Sequence, residues 1–215
     1  MKTGELKHQG DNGFPFEVPD YVNALYTDSH NNLWIGSYYQ GFTLVSSKER
    51  FNSNHFLVTK LLNKPVYSLA ADMSDRLWIS TLNGPLYVYD RKNDNISEIE
   101  TASALSSKTK SKDITTVYAD SDGGLWLASL FTSVVSRCTF EGGQLRELQS
   151  HRIEAPLTLA PDNQGNMWTG SGNGKVHCID TDGALKPVSV PFGNSFVSGL
   201  QPLPNGTVWA TALNN

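Results

Sequence analysis

Two adjacent tyrosines followed by an amide, Tyr38-Tyr39-Gln40, are the residues of this chain best suited to holding a ligand. Exposed aromatic rings can stack on the face of a sugar ring, and an amide side chain can exchange hydrogen bonds with its hydroxyl groups. The alternative is that one tyrosine packs into the protein and the other merely decorates the loop. Phe131 has a similar but weaker setting in a later loop.

Two kinds of loop are expected at the end of the strands where Tyr38 lies. One kind enters the first strand of each repeating unit described below and contains Asn63, Lys64, Lys112, Asp113, Glu154 and Asn194. The other kind joins the second strand to the third and also contains Asn83, Phe131, Asn173 and Asn214. We therefore predict a ligand site drawn from Tyr38, Tyr39, Gln40, Asn63, Asn83, Phe131, Asn173 and Asn194.

Residues for catalysis are poorly arranged. The histidines are scattered, with His30 in a turn at the opposite end of the strands and His177 in the middle of a strand; the others are His8, His55 and His151. The sequence contains no nucleophile elbow, metal-binding motif or phosphate-binding loop. We therefore expect no catalytic residue, no metal site and no cofactor.

Charge and composition narrow the choice of partners. The net charge is −4, and the one basic run, Lys108 to Lys112, follows several serines and is typical of a solvated loop. Binding to nucleic acid needs clustered basic residues, so we expect none. No apolar stretch reaches the ~18 residues of a membrane span, and the first residues lack the apolar core of a signal peptide. Cys138 and Cys178 lie in alternating apolar runs and are expected to be buried free thiols.

Five tryptophans mark a repeat. They recur at intervals of 41 to 48 residues, each follows Leu, Met or Val, and the first four stand six residues after an aspartate; they are Trp34, Trp78, Trp126, Trp168 and Trp209. Self-similarity at such a period indicates one supersecondary unit copied several times. The units span about 22–65, 66–113, 114–155, 156–196, and 197–215 together with 1–21.

Each unit begins as an apolar run, a polar turn and a second apolar run, which predicts a β-hairpin. Two further short runs follow in each of the first four units, so the sequence predicts four antiparallel strands per unit. This pattern is typical of a propeller blade, and the fold class is therefore an all-β propeller with five repeats, the last incomplete. The tryptophans are expected to pack between neighbouring blades, and the small residues after them (Gly36, Ser80, Ala128, Gly170 and Thr211) to allow close approach.

The fifth repeat has an inner hairpin and no outer strands, which leaves two interpretations. The ring could close with five blades if residues 5–18 supplied the missing strands and removed the exposed edge. Alternatively, the chain is part of a larger propeller, such as a seven-bladed one. The second interpretation is favoured because the sequence stops in the middle of a blade.

The pattern of Asp, a short turn, Leu-Trp-Ile-Gly-Ser/Thr and a further apolar strand resembles the two-component-regulator propeller repeat. Residues 28–45 and 72–90 carry the resemblance best, 120–129 and 162–180 carry it well, and 203–212 weakly. In that family such repeats form the periplasmic sensor region of hybrid histidine kinases that respond to carbohydrate fragments. The chain has no kinase motif, so the resemblance implies a sensing part without enzymatic activity, placed in the periplasm if it belongs to a sensor kinase and in the cytoplasm otherwise.

Three functions follow from these patterns. The first is a ligand-sensing module for oligosaccharides, whose partners would be a small saccharide and either a second copy or further sensor domains, with no membrane contact by this segment. The second is a propeller that serves as a protein-interaction scaffold. The third is an enzyme similar to streptogramin lyases or lactonases, although no pair of histidines on one loop face supports it. Propellers host all three functions, so the fold alone does not choose among them.

Overall fold

The computed structural model describes residues 20–45, 57–61 (backbone only), 64–99, 101 and 114–213. The chain divides into two compact units, Met1–Tyr67 and Ser68–Asn215. The described residues contain no α-helix, and therefore no helix that is long and apolar enough to cross a membrane. The predicted closing segment 5–18, the basic run 108–112 and the candidates Asn63 and Asn214 lie outside the described residues.

Strands account for most of the described chain. The runs that form them are rich in β-branched and aromatic residues, which favour extended backbone. In order along the chain they are β1 (Val22–Thr27), β2 (Leu33–Ser37), β3 (Gly41–Val45), β4 (Leu57–Leu61), β5 (Val66–Ala71), β6 (Arg76–Thr81), β7 (Leu86–Asp90), β8 (Asn95–Ile99), β9 (Thr116–Ala119), β10 (Leu125–Ser129), β11 (Val134–Glu141), β12 (Gln144–Arg152), β13 (Pro156–Pro161), β14 (Met167–Ser171), β15 (Val176–Ile179), β16 (Leu185–Val188), β17 (Phe196–Pro202) and β18 (Val208–Leu213).

Four sheets each contain four strands in sequence order, β1–β4, β5–β8, β9–β12 and β13–β16, and β17 and β18 form a two-stranded fifth sheet. The predicted plan of four strands in each of four repeats and an inner hairpin in the fifth is therefore confirmed. Closure with five blades and membership of a seven-bladed ring stay predictions.

The outer hairpin of the third sheet is longer than the sequence indicated. The sequence predicts strands only at 134–138 and 145–148, whereas β11 and β12 extend to Glu141 and Arg152 around a Gly142-Gly143 turn. Both glycines have positive φ, 59° and 82°, which suits a tight turn. The extension was missed because β12 alternates between outward polar and partly buried residues, and few of its inward positions are strongly apolar.

The first tryptophans are packing residues, as predicted. Trp34 is fully buried, and Trp78 and Trp126 are nearly so. Trp78, in the second sheet, packs in a cluster with residues of the third sheet and meets Phe140 edge-on, with ring centroids 4.9 Å apart. Trp126 packs with Met167 and Ile179 of the fourth sheet. The rings of Trp78 and Trp126 therefore fill the space between consecutive sheets, where a large aromatic group buries about 150–250 Å².

The expectation that all five tryptophans are buried is wrong for Trp209, whose ring is 66% exposed. Leu213 and Phe196, which lie on the same face of β17 and β18, are exposed as well. In the second and third sheets, the face that carries Trp78 or Trp126 is covered by the following sheet. No described residue covers the corresponding face of the fifth sheet.

Two of the small residues after tryptophan, Gly36 and Gly170, allow neighbouring strands to approach, as predicted. A Cβ built on Gly36 would lie 2.6 Å from Cγ1 of Val66 at the start of the next sheet. A Cβ on Gly170 would lie 2.5 Å from Cγ1 of Val197 in the same way. A side chain at either position would therefore push the two strands apart.

A hydrogen bond that the sequence analysis did not identify joins the aspartate and the tryptophan of each of the first four repeats. The indole Nε1–H of Trp34 donates to Oδ2 of Asp28 at 2.9 Å. The same bond recurs at 2.9 Å in the second repeat, 3.2 Å in the third and 3.0 Å in the fourth. Oδ1 of the same aspartate accepts backbone N–H groups of the turn. The carboxylate therefore fixes both the turn and the ring.

Both cysteines are buried free thiols, as predicted. Burial raises the pKa of Cys138 to about 12, with a smaller contribution from Glu147. Burial also raises the pKa of Cys178. A thiol with a raised pKa carries little thiolate at neutral pH and is a poor nucleophile.

Candidate ligand-binding site

Four tyrosines of the compact unit Met1–Tyr67 form a chain of ring contacts, called here the tyrosine cluster: Tyr21, Tyr38, Tyr39 and Tyr67. The ring centroids of Tyr21 and Tyr39 are 5.0 Å apart, and those of Tyr38 and Tyr39 are also 5.0 Å apart, both nearly perpendicular. Tyr38 and Tyr67 are 6.4 Å apart and tilted. These are the separations at which aromatic pairs attract each other.

Backbone and hydroxyl groups hold the loop that carries the cluster. The hydroxyl of Ser37, at the end of β2, donates to the carbonyl of Asp20 at 2.6 Å. The same oxygen accepts the backbone N–H groups of Tyr39 and Gln40, both at 3.1 Å. The N–H of Tyr38 donates to the carbonyl of Tyr21 at 2.9 Å. The two loops at this end of the sheet are therefore tied together, which fixes the positions of the rings.

The backbone of Tyr21 is in the left-handed region, with φ at 53°. A non-glycine residue is uncommon there, and an aromatic one more so. The conformation places the ring against Tyr39 and is retained although it is locally unfavourable. Ala155 has the same conformation, with φ at 47°, directly before β13, and its carbonyl accepts the N–H of Gly172 at 2.8 Å as that of Tyr21 accepts the N–H of Tyr38. The left-handed backbone is therefore a feature of the repeat rather than of the binding site.

One side of the cluster is open to solvent. Tyr21 is 72% exposed and Tyr39 58%, and Gln40 is exposed beside them. Tyr38 and Tyr67 are half-buried. Burial raises the pKa of Tyr67, and the nearby Tyr38 raises it further, so the Tyr67 hydroxyl stays protonated around neutral pH. The arrangement offers exposed ring faces for stacking, with a phenol and an amide nearby for hydrogen bonds.

The structure shows features of both interpretations of Tyr38 and Tyr39, the one with a ligand and the one without. Tyr38 packs partly into the protein, as in the alternative without a ligand, but Tyr39 does not stand alone on the loop. It contacts both Tyr21 and Tyr38. Sequence analysis missed Tyr21 and Tyr67. Tyr21 could have been found, because it lies in the loop that enters the first strand, a type of loop already singled out in the other repeats.

The remaining described candidates lie in the compact unit Ser68–Asn215. Asn83, Phe131 and Asn194 are exposed, and Asn83 has a positive φ of 50°. Asn173 is half-buried and donates its amide to Glu154 at 2.8 Å, and Lys175 lies 3.7 Å from the same carboxylate. A Cβ on Gly174 would collide with the carbonyl of Gly193, so the loops carrying Asn173 and Asn194 pack closely. The structure therefore brings Glu154, Asn173 and Asn194 together.

The described histidines lie on separate elements. His30 lies in the turn between β1 and β2, His151 near the end of β12 and His177 in β15. Burial lowers the pKa of His151 and of His177, and Lys175 lowers the latter further. Over the described ranges, no group of three or more His, Cys, Asp or Glu side chains is arranged to hold a metal ion.

Comparison with known proteins identifies the repeat. Residues 18–39 match the family model described as "two component regulator propeller". One copy of the two-component-regulator propeller repeat is therefore matched, at residues 18–39. The resemblance predicted from the Asp and Trp pattern is therefore confirmed, and the matched segment includes three of the four residues of the tyrosine cluster. A search of curated proteins with the sequence finds no match.

Solved structures share the fold at low sequence identity. The extracellular domain of a putative hybrid two component system from B. thetaiotaomicron has a TM-score of 0.69 at 17% identity, covering 90% of this chain and 29% of that one. A second such domain from the same organism has a TM-score of 0.69 at 13% identity, covering 96% and 28%. Virginiamycin B lyase from Staphylococcus aureus has a TM-score of 0.70 at 12% identity, covering 88% and 62%.

These similarities confirm the all-β propeller fold. The chain spans less than two thirds of the length of each of these structures. Extracellular domains of two component systems and a lyase are both among them, and identities below 20% show the fold without the activity. The choice of function therefore depends on the family match and on the geometry of the tyrosine cluster.

Proposed function

We propose that this chain is a non-catalytic ligand-sensing propeller module of a two-component signalling sensor and that it responds to oligosaccharides. The observation that carries the proposal is the tyrosine cluster, which exposes the rings of Tyr21 and Tyr39 on a loop fixed by Ser37. It lies within the segment that matches the two-component-regulator propeller family. The structurally similar extracellular domains of two component systems support a location in the periplasm.

The tyrosine cluster offers the kinds of group that a saccharide requires. Sugar rings have apolar C–H faces and hydroxyl rims, so they need exposed aromatic rings flanked by groups that both donate and accept hydrogen bonds. Tyr39 and Tyr21 provide the rings, and Gln40 and the tyrosine hydroxyls provide the polar groups.

Alanine at Tyr39 is expected to weaken oligosaccharide binding about tenfold, the equivalent of 1.4 kcal/mol, because it removes a ring that would stack on the sugar. Tyr21→Ala is expected to have a similar effect. The measurement is isothermal titration calorimetry with neutral gluco-, xylo-, manno- and galacto-oligosaccharides and with uronate-containing ones.

Phe196→Ala is the matched control, because Phe196 is an exposed aromatic residue of β17 that is not among the predicted site residues. It should leave the affinity unchanged, and all three variants should keep the wild-type melting temperature. Equal binding by wild type and Tyr39→Ala would reject the site. If no oligosaccharide bound the wild-type protein, the proposed ligand class would be rejected.

A further inference from the structure

A cavity of about 110 Å³ lies at the turn end of the fourth and fifth sheets, the end opposite the loops discussed above. Its lining includes Asp162, Asn163, Asn166, Trp168, Leu203 and Thr207. A cavity of this size has room for several water molecules or one small polar group. Trp168 is half-buried here, whereas Trp78 and Trp126 are buried at the same position of their repeats.

The second and third repeats place a guanidinium group beside the corresponding aspartate and tryptophan. In the second repeat, Nε of Arg76 donates to Oδ2 of Asp72 at 2.7 Å, and the guanidinium lies 5.7 Å from the ring centre of Trp78. In the third repeat, Arg137 reaches the same place from β11. Its Nε and Nη2 lie 2.8 and 2.7 Å from Oδ2 of Asp120, and its guanidinium lies 6.0 Å from the ring centre of Trp126.

The fourth repeat has the aspartate and the tryptophan without the arginine. Asn166 stands where the second repeat has Arg76, and Cys178 pairs with Trp168 where Arg137 pairs with Trp126. The sequence has no arginine after Arg152. No cation lies over the Trp168 ring among the residues that the structure describes. The two lysines of this region pair elsewhere, Lys186 with Asp180 and Lys175 with Glu154.

Oδ2 of Asp162 accepts two side-chain donors, one fewer than Oδ2 of Asp120 in the third repeat. The two donors are the amide of Asn166 at 2.8 Å and the indole of Trp168 at 3.0 Å. Oδ2 of Asp120 accepts three N–H groups in the third repeat, one from Trp126 and two from Arg137. Burial would raise the pKa of Asp162, but hydrogen bonds from Trp168, Asn166 and Gln164 hold it below the ordinary value, so the carboxylate is charged at neutral pH.

We propose that this cavity binds the guanidinium group of an arginine side chain presented by a peptide. The group would lie against the ring of Trp168 and bond to Asp162, as the chain's own arginines do in the second and third repeats. A guanidinium group suits both partners, because its planar face stacks on aromatic rings and its edge carries several N–H donors. The site is distinct from the tyrosine cluster, and its failure would leave the proposed saccharide site untouched.

The test is an NMR titration of the tryptophan indole N–H signals with N-acetyl-arginine amide. N-acetyl-citrulline amide, which is nearly the same shape but uncharged, and free arginine serve as comparisons. We expect a saturable shift of the Trp168 signal, assigned with a Trp168→Phe variant, that is absent with the citrulline compound and weakens as salt is added. Free arginine should bind more weakly than the blocked form if a peptide is the source.

Asn166→Arg is the decisive variant, because it reproduces the arrangement of the second repeat and fills the cavity from within the chain. It should reduce the shift about tenfold while the other indole signals stay in place. Thr207→Lys, at an exposed position of the lining, should also compete with the ligand and carries little risk to the fold. An equal shift with the citrulline compound, no saturable shift, or full binding by a folded Asn166→Arg or Thr207→Lys protein would overturn the proposal.

Discussion

Replacing Asp28 by alanine is expected to lower the free energy of unfolding by about 3 kcal/mol, because buried N–H groups would lose their acceptor. Asp28 is only 4% exposed and accepts four hydrogen bonds. The donors are the backbone N–H groups of His30 and Asn32, the amide of Asn32 and the indole of Trp34. Urea unfolding followed by tryptophan fluorescence measures the change.

The effect of this substitution should depend on pH. Burial would raise the pKa of Asp28, but hydrogen bonds from Asn32, Trp34 and His30 hold the pKa below the model-compound value of 3.8. A carboxyl with a lowered folded pKa stabilises the protein above the unfolded pKa, and this contribution is lost as the pH falls through the folded value. The difference between wild type and Asp28→Ala should therefore shrink in strong acid.

Asp182→Ala is the matched control for Asp28, since Asp182 is an exposed aspartate in a turn of the second unit. A surface change of this kind should alter the free energy of unfolding by less than about 0.5 kcal/mol. Equal losses for the two substitutions, or a loss at Asp28 that did not change with pH, would show that the carboxylate does not hold the turn and the indole.

Gly170→Ala is expected to destabilise the second unit by about 1–3 kcal/mol, because the added methyl group has no space. The new Cβ would lie 2.5 Å from Cγ1 of Val197 and 2.9 Å from Cγ2 of Thr158. The φ of Gly170 is not positive, so alanine is allowed in the backbone and would by itself stabilise the protein by about 0.4–1 kcal/mol. Because the distance of 2.5 Å to Cγ1 of Val197 is far below van der Waals contact, the destabilising collision is expected to exceed this gain.

A double-mutant cycle separates this collision from other effects. Val197→Ala alone should also destabilise the protein, because Val197 is fully buried. The combined Gly170→Ala and Val197→Ala protein should lose less than the sum of the two single losses, since the smaller side chain makes room for the new methyl group. Additive losses would mean that Gly170 and Val197 do not form the contact on which the sheet packing depends.

Much of the scaffold follows from the sequence because it depends on local patterns. The strand pair around each turn is predicted by apolar runs and turn residues. The apolar runs 41–45, 125–129, 167–171 and 185–188 of the sequence coincide with β3, β10, β14 and β16. The register also follows from the repeat, since Trp34 pairs with Tyr26 as Trp168 pairs with Ala160. Patterns of this kind need only neighbours in the chain, so they are visible without a structure.

The candidate site is less predictable because it depends on contacts between loops. Tyr39 could be chosen for its type and position, but its contact with Tyr21 comes from the left-handed backbone at Tyr21. Trp209 follows a polar turn and an apolar residue as Trp34 does, yet it is exposed, because burial depends on a neighbouring sheet rather than on the residue itself. The aspartate of the first four repeats is replaced by Leu203 in the fifth, which was the one local sign of this difference.

Hydrogen exchange of the tryptophan indole N–H groups, resolved by NMR, tests most directly the claim that Trp34, Trp78 and Trp126 are scaffold and that the proposed saccharide site lies in the loops. The indoles of Trp34, Trp78 and Trp126 are buried and bonded to an aspartate, so they should exchange slowest. Trp168 should be intermediate and Trp209 fastest, and an oligosaccharide should leave this order unchanged. Exchange of Trp34, Trp78 and Trp126 as fast as that of Trp209 would contradict the account.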